Sequence, residues 1–152
     1  MGVEIERKFL VAEMPEDLSV YPRHIIEQAY LTTEPVIRVR REDDTYYMTY
    51  KGKGRIVHEE YNLPLTKAAY ETLKEKADGN VISKTRYLIP CGDYTAELDI
   101  FDAPFAPLTL TEVEFPTKEE ADDFYVPEWF GKEVTEDERY YNSYLSRQTF
   151  PS

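Results

Sequence analysis

Charged residues recur along this chain in pairs spaced two apart. Glu4, Glu6 and Lys8 alternate in the segment EIERKFLV. The same spacing returns at Arg38 and Arg40, Lys51 and Lys53, Lys84 and Arg86, Glu97 and Asp99, and Glu112 and Glu114. On a β-strand, side chains two apart share a face, about 7 Å from one another at ~3.3 Å rise per residue. The residues between them are often apolar: Ile5, Ile37, Val39, Leu98 and Val113. An ordinary half-buried strand turns its polar face to water and its apolar face to a core. Same-face pairs of both signs on so many strands imply instead one shared, charged interior. On a solvated face the opposite parity would form the core of a β-sandwich, but six such pairs fit that arrangement poorly.

The alternation and its breaks predict eight strands, at about 3–11, 25–32, 36–42, 45–51, 55–63, 82–90, 94–101 and 109–115. Thr32-Thr33-Glu34-Pro35, Glu42-Asp43-Asp44 and Cys91-Gly92-Asp93 have the composition of hairpin loops. Short breaks make sequential strands antiparallel neighbours, and so many strands in one small domain favour a barrel. Three helices are expected. The first spans about Lys67 to Ala77, with Thr66 as N-cap and Gly79 beyond its end. The second starts at Thr117 and the third at Thr135, each with a glutamate three residues on, Glu120 and Glu138. The third is expected to run to about Ser146. Pro127, Trp129 and Phe130 link the last two and pack on the barrel. The fold class is therefore mostly β (α+β): a single-domain, eight-stranded antiparallel barrel over residues 1–147, with flanking helices and a short tail at 148–152.

The chain has 152 residues with 41% hydrophobic content, enough for one domain with a core. It shows no apolar run near the ~20 residues needed to cross a bilayer, and charges interrupt its N-terminal segment. Cys91 is the lone cysteine, which excludes an intrachain disulfide and favours a reducing, cytoplasmic compartment. A net charge of −12 argues against nucleic-acid or anionic-membrane partners. The clustered basic pairs stand out all the more against that acidic total.

Assigning each strand's inward face by its charges yields two sets. The acidic set is Glu4, Glu6, Glu60, Glu97, Asp99, Glu112 and Glu114. The basic set is Lys8, Arg38, Arg40, Lys51, Lys53, Lys84 and Arg86, with Arg55 as a possible addition. The opposite parity carries Ile5, Phe9, Ile37, Val39, Met48, Tyr61, Leu63, Leu98, Val113 and Phe115, an outer apolar layer under the helices. A buried ion costs several kcal/mol unless it is compensated. A ligand both highly anionic and metal-bearing satisfies both sets. Lysine and arginine donate to phosphate oxygens. Carboxylates supply hard oxygen ligands for Mg²⁺ or Mn²⁺. The residues thus predict a small phosphate-rich ligand with a divalent metal, held inside a barrel.

Glu4-Ile5-Glu6-Arg7-Lys8-Phe9 resembles the ExExK signature of the CYTH superfamily, the triphosphate tunnel metalloenzymes. The other pairs, together with Glu59-Glu60-Tyr61, Pro127-Glu128-Trp129-Phe130-Gly131 and Asn142-Ser143-Tyr144-Leu145, follow in that family's order over nearly the whole chain. The resemblance implies a tunnel of eight antiparallel strands that holds a triphosphate. It implies metal-dependent hydrolysis of inorganic tripolyphosphate to pyrophosphate and phosphate, as in the short bacterial members. Class IV adenylate cyclases, hydrolases of nucleoside or thiamine triphosphate, and non-catalytic polyphosphate binders are the alternatives within reach of the same interior.

By that resemblance the seven basic residues grip the triphosphate. Glu4, Glu6, Glu60, Glu112 and Glu114 are the main metal ligands, with Glu97 and Asp99 nearby. Lys84 and Tyr30 match a Lys–Tyr pair associated with tripolyphosphatase activity, and Glu4 completes the expected catalytic set. Ala29 stands where some relatives carry glycine before the tyrosine.

Of the remaining residues, Arg139 is expected to close one tunnel end and touch the outer phosphate. His58 shares the parity of Glu60 and is placed at the rim, His24 at the surface, and Trp129 as a packing anchor.

Overall fold

The computed structural model describes residues 2–52 and 57–149. Lys53 and Arg55 lie outside the described residues, as do the side chains of Glu4 and His58.

Eight long strands follow the alternation closely: β1 (Gly2–Val11), β2 (Arg23–Thr33), β3 (Val36–Glu42), β4 (Thr45–Lys51), β5 (Val57–Pro64), β6 (Ile82–Cys91), β7 (Tyr94–Phe101) and β8 (Thr109–Glu114). Their order is β5-β4-β3-β2-β6-β7-β8-β1, and β1 also pairs with β5. Each of these strands therefore has a hydrogen-bonded neighbour on both sides. All the pairings are antiparallel.

β1 serves three partners. Gly2 to Ile5 pair with β5 and Glu6 to Phe9 with β8. Its far end pairs with a ninth strand, β9 (Phe130–Glu133), through Phe9 and Val11. This ninth strand is a correction, because the segment reads as a packing linker: its four residues carry too short an alternation to signal a strand. β9 forms because β1 outruns β5 and leaves an edge to be covered.

α1 (Lys67–Lys76) and α2 (Lys118–Asp123) begin at the expected caps. Thr66 Oγ1 accepts from the Ala69 amide and Thr117 Oγ1 from that of Glu120. The capping pattern expected for the third helix fails. Thr135 Oγ1 instead accepts from the Lys8 amide at 3.0 Å and donates to Glu133 at 2.6 Å, extending the β1–β9 contact. A 3-10 turn at Glu138–Tyr140, capped by Asp137, and a short α3 (Asn142–Arg147) replace the expected helix.

Two apolar clusters lie outside the sheet, as the parity demands. Phe9, Leu98, Val113, Phe115 and Phe130 pack under α2 and β9, with Trp129 against Phe130 at 4.6 Å between ring centroids. Ala29, Val39 and Tyr70 pack under α1, joined by Met48 and Leu73. Leu63 breaks the pattern at 53% exposure: α1 packs over β2, β3 and β4, and Leu63 lies one strand further on, in β5. A third cluster lies at one end of the charged band. There Tyr30, Ile82, Phe101, Phe105, Leu110, Val134 and Leu145 pack together, so the interior is not charged throughout.

Candidate functional site

The inward parity of the strands surrounds a cavity of about 290 Å³. Among the described residues, five cations line it: Lys8, Arg38, Arg40, Lys51 and Arg86. Six carboxylates of the described residues face them: Glu6, Glu42, Glu60, Glu97, Glu112 and Glu114. Tyr30, Val36 and Tyr47 complete the strand-borne wall, while Thr135, Tyr141, Asn142 and Ser143 close in from the C-terminal segment.

Register explains the convergence. Arg38 stands opposite Tyr30 and Thr49, and Arg40 opposite Gln28 and Tyr47. Lys51 faces Glu60, Lys8 faces Glu112, and Glu112 in turn faces Glu97. Alternation puts every second residue of these strands inward, and the ring of pairings brings distant segments to one band.

The charges hold one another in place. Lys8 Nζ lies 3.2 Å from Glu112 and donates to the Tyr140 carbonyl at 3.1 Å. Arg86 grips Asp99 with two bonds of 2.7 and 2.9 Å and reaches Glu97 at 3.4 Å. Arg38 donates to Thr49 at 3.2 Å; Thr49 donates to Asn62 at 2.5 Å, and Asn62 to Glu60 at 2.9 Å. Arg40 donates to Gln28 at 2.8 Å and Tyr47 at 3.3 Å.

Burial penalises each of these charges, and the neighbours decide which direction prevails. Burial pushes the Glu112 carboxyl up, yet Lys8, Arg86, Lys84 and Lys51 hold it well below its ordinary range. Glu97 goes the other way. Burial raises it, Glu112 and Asp99 add repulsion, and Arg86 offsets only part. For Lys8, Glu112 and Glu6 overcome burial and raise the ammonium. Burial lowers the Arg40 guanidinium, and Arg38 and Arg86 lower it further by repulsion. That cation crowding is what an entering polyanion would relieve.

The buried polar atoms of the described residues that have no hydrogen-bond partner include the Arg38 Nε donor and the Glu97 Oε1 acceptor. An orphaned buried group is costly, so a native one calls for a missing partner. An anion satisfies the first and a cation the second. The donor set fits a hard divalent metal in kind, since it is all carboxylate oxygen. Among the described residues, no three acidic or imidazole side chains converge into a preformed metal cluster.

Several expected site residues stand elsewhere. Lys84 and Asp99 do not line the cavity. They form a 2.7 Å pair behind its wall, with side chains 0% and 2% exposed. Burial pulls the Lys84 ammonium down to about 7, with Arg86 and Arg40 pushing the same way and Asp99 opposing. Burial also works against the Asp99 carboxylate, but Arg86 and Lys84 hold it below its usual value. Arg139 is corrected outright. It projects from the 3-10 turn into solvent, 67% exposed, and pairs with Asp137 at 2.6 Å. Arg139 sits in the 3-10 turn that replaces the start of the expected helix, and Asp137 of the same turn takes its guanidinium. His24 is half-buried, 2.6 Å from Asp43.

The residues that sequence reasoning missed come mainly from the C-terminal segment. Asn142 Oδ1 accepts from Gln28 at 3.0 Å and from Lys84 at 3.1 Å. Lys8 lies 5.2 Å from the centre of the Tyr141 ring. No periodicity predicts these contacts. Tyr47 was legible, since it shares parity with Lys51.

The CYTH domain model matches residues 2–146. This chain belongs to the CYTH domain family. It is 41% identical over 149 residues to a protein of Nitrosomonas europaea named inorganic triphosphatase, covering 94% of this chain and 96% of that one. It is 34% identical over 155 residues to a protein of the same name from Acetivibrio thermocellus, covering 99% and 97%. The crystal structure of the inorganic triphosphatase NE1496 superposes with a TM-score of 0.72 at 38% identity, covering 98% and 97% of the two chains. The PH1012 protein from Pyrococcus horikoshii shares the fold at 22% identity and a TM-score of 0.58, covering 78% and 82%. The CYTH match spans all eight ring strands and most of α3.

Proposed function

We propose that this CYTH protein hydrolyses inorganic tripolyphosphate to pyrophosphate and phosphate, in a reaction that requires Mg²⁺ or Mn²⁺. The observation that carries the reading is the cavity itself: clustered lysines, arginines and glutamates around about 290 Å³, on a scaffold shared with relatives named inorganic triphosphatase.

Lys8, Arg38, Arg40, Lys51 and Arg86 line one cavity and would neutralise the phosphoryl oxygens. Arg38 Nε is a buried donor waiting for such an oxygen. Lys53, outside the described residues, is expected in this set from its spacing to Lys51 in the sequence. Charge on the leaving pyrophosphate grows as the terminal P–O bond breaks and water's oxygen bonds to phosphorus. Fixed cations favour that state without reorganising.

Glu6, Glu60, Glu112 and Glu114, with Glu4, would hold the metal, and Glu97 Oε1 is an acceptor still unused. When bound, the metal supplies Lewis-acid polarisation of phosphoryl oxygens and a water of lowered pKa. Asp99 takes a different part, because both its oxygens are engaged by Arg86 and Lys84. It fixes the cations rather than the metal. Tyr30 lines the cavity beside Arg38 and would bound the substrate there.

Among the described residues no helix is long and apolar enough to cross a membrane. The half-buried, unpaired Cys91 supports a cytoplasmic setting.

The test is phosphate release from tripolyphosphate, ATP and pyrophosphate, each with Mg²⁺, Mn²⁺ or chelator. Release from tripolyphosphate that stops with chelator, with pyrophosphate spared, supports the reading. Formation of cyclic AMP from ATP without tripolyphosphate hydrolysis would replace it by a cyclase.

A further inference from the structure

Asn142 is the first residue of α3 and the point at which that helix meets the charged band. Its contacts determine which way its amide faces. Arg40 donates from Nε to Gln28 at 2.8 Å, and a guanidinium has no acceptor, so Gln28 must present Oε1 to it. Gln28 Nε2 is then the end that meets Asn142 at 3.0 Å, and Asn142 must answer with Oδ1. Lys84 Nζ donates to the same oxygen at 3.1 Å. Gln28 is fully buried, which leaves the chain of amides no second arrangement in water.

Asn142 Nδ2 is thereby turned away from Gln28 and Lys84. No described residue accepts from it, although Asn142 lines the cavity. We infer that Asn142 is a positioning and substrate-binding residue: Oδ1 holds Lys84 and, through Gln28, Arg40, while Nδ2 donates to a phosphoryl oxygen of the bound polyphosphate. The α3 helix thus completes the site and does not merely cover it. The inference rests on the proposed substrate class.

Two variants separate the halves of this role. Asn142→Asp keeps an acceptor for Lys84 and Gln28 but puts a carboxylate oxygen where Nδ2 stood. Asn142→Ala removes both contacts. The readouts are the Kd for tripolyphosphate in chelator, by calorimetry, and KM and kcat with Mg²⁺. Asn142→Asp is expected to raise Kd and KM by at least about tenfold, because a donor becomes a repelling anion, with the melting temperature little changed. Asn142→Ala is expected to raise KM less and to lower kcat as well, since Lys84 and Arg40 lose their tether.

If Asn142→Asp binds and turns over tripolyphosphate as the wild type does, the Nδ2 contact is overturned. If both variants only lower the melting temperature, the role is structural and the inference falls. Wild-type binding without turnover would sink the hydrolase reading alone, because the Kd comparison still decides the role of Asn142. A wild type that does not bind tripolyphosphate overturns both.

Discussion

Lys84 and Asp99 form a deeply buried 2.7 Å ion pair directly behind the wall of the charged cavity. Arg86, which does line the cavity, closes on the same carboxylate with two bonds. Asp99 therefore compensates two cations at once. Removing one partner from such a cluster leaves uncompensated buried charge. Asp99→Asn keeps the shape and discards the charge, so it should destabilise the fold by about 3–5 kcal/mol, read as a lowered urea midpoint. A loss under about 1 kcal/mol, the range of an exposed pair, would mean that Asp99 does not carry this load.

Arg38, Arg40 and Arg86 crowd the cavity, where burial first, and then the repulsion of Arg38 and Arg86, lowers the Arg40 guanidinium. A polyanion that binds only the folded state relieves this strain and stabilises by mass action. At a tripolyphosphate concentration a hundred times its Kd, the gain is about 2.7 kcal/mol, or roughly 5–10 °C in melting temperature for a domain of this size. Arg40→Ala should shrink that shift and weaken binding by about tenfold or more, since charge-assisted bonds to Arg40 are lost. An unchanged melting temperature at saturating tripolyphosphate would count against an interior site.

Glu112 sits between Lys8 and the other carboxylates, and its charge is secured by four cations. Glu112→Gln removes a metal ligand but also a repulsion toward phosphate. Turnover with Mg²⁺ is expected to fall on the order of a hundredfold, the scale of losing one preorganised electrostatic contact. Tripolyphosphate affinity in chelator should hold or improve. Steady-state kinetics beside calorimetry checks both, and full activity in the variant would remove Glu112 from the metal set.

Arg7 and Glu133 join β1 to β9 by bonds of 2.9 and 2.6 Å, and Arg7 also donates to the Ala121 carbonyl of α2. The Arg7 bond holds the Glu133 carboxyl below its ordinary 4.5, although partial burial opposes it. A carboxyl whose folded value is depressed adds stability above its unfolded value and loses it as pH falls through the folded one. Solvent screening limits the contribution to no more than about 1 kcal/mol. The melting-temperature gap between wild type and Glu133→Gln should therefore be steady from pH 7 to about 5 and close below about 4.5. A gap that widens on acidification would contradict the pairing.

Gly79 has a φ of +81°, and a Cβ there would run into the Ser146 carbonyl oxygen of α3. Its neighbour Asn80 donates to the carbonyls of Leu145 and Gln148 at 3.1 and 2.7 Å, so this loop grips the end of α3. Gly79→Ala should cost on the order of 1–3 kcal/mol from backbone strain alone. Because Asn142 begins the same helix, tripolyphosphate affinity should fall together with stability. Loss of stability at unchanged affinity would show that α3 shifts without disturbing the cavity.

Most of the strand layout and most of the cavity were legible in the sequence for one reason. A strand's side-chain period is two, so a same-face charge pair reports orientation locally, without knowledge of the partner strand. Arg38, Arg40, Lys51, Glu97, Glu112 and Glu114 all followed that rule inward. The rule says which face a residue takes and not how deep it lies. Lys84 and Asp99 obey the parity yet end behind the wall, where the cavity gives way to the apolar cluster of Phe101, Leu110 and Leu145. Arg139 and Thr135 misled for a different reason. The Thr-x-x-Glu pattern favours a helix start, but the exposed edge of β1 claimed the Thr135 hydroxyl for the Lys8 amide.

The sequence by itself determined the antiparallel strands, the inward parity of their charges and the chemistry those charges can address. These are short-range consequences of backbone geometry. Tertiary structure alone decided that β9 covers the free edge of β1, that Lys84 and Asp99 spend their charges on each other and on Arg86, and that Asn142 reaches Gln28 and Lys84 from the far end of the chain. Each of those outcomes depends on which distant groups meet once water is excluded, and no local spacing encodes that meeting.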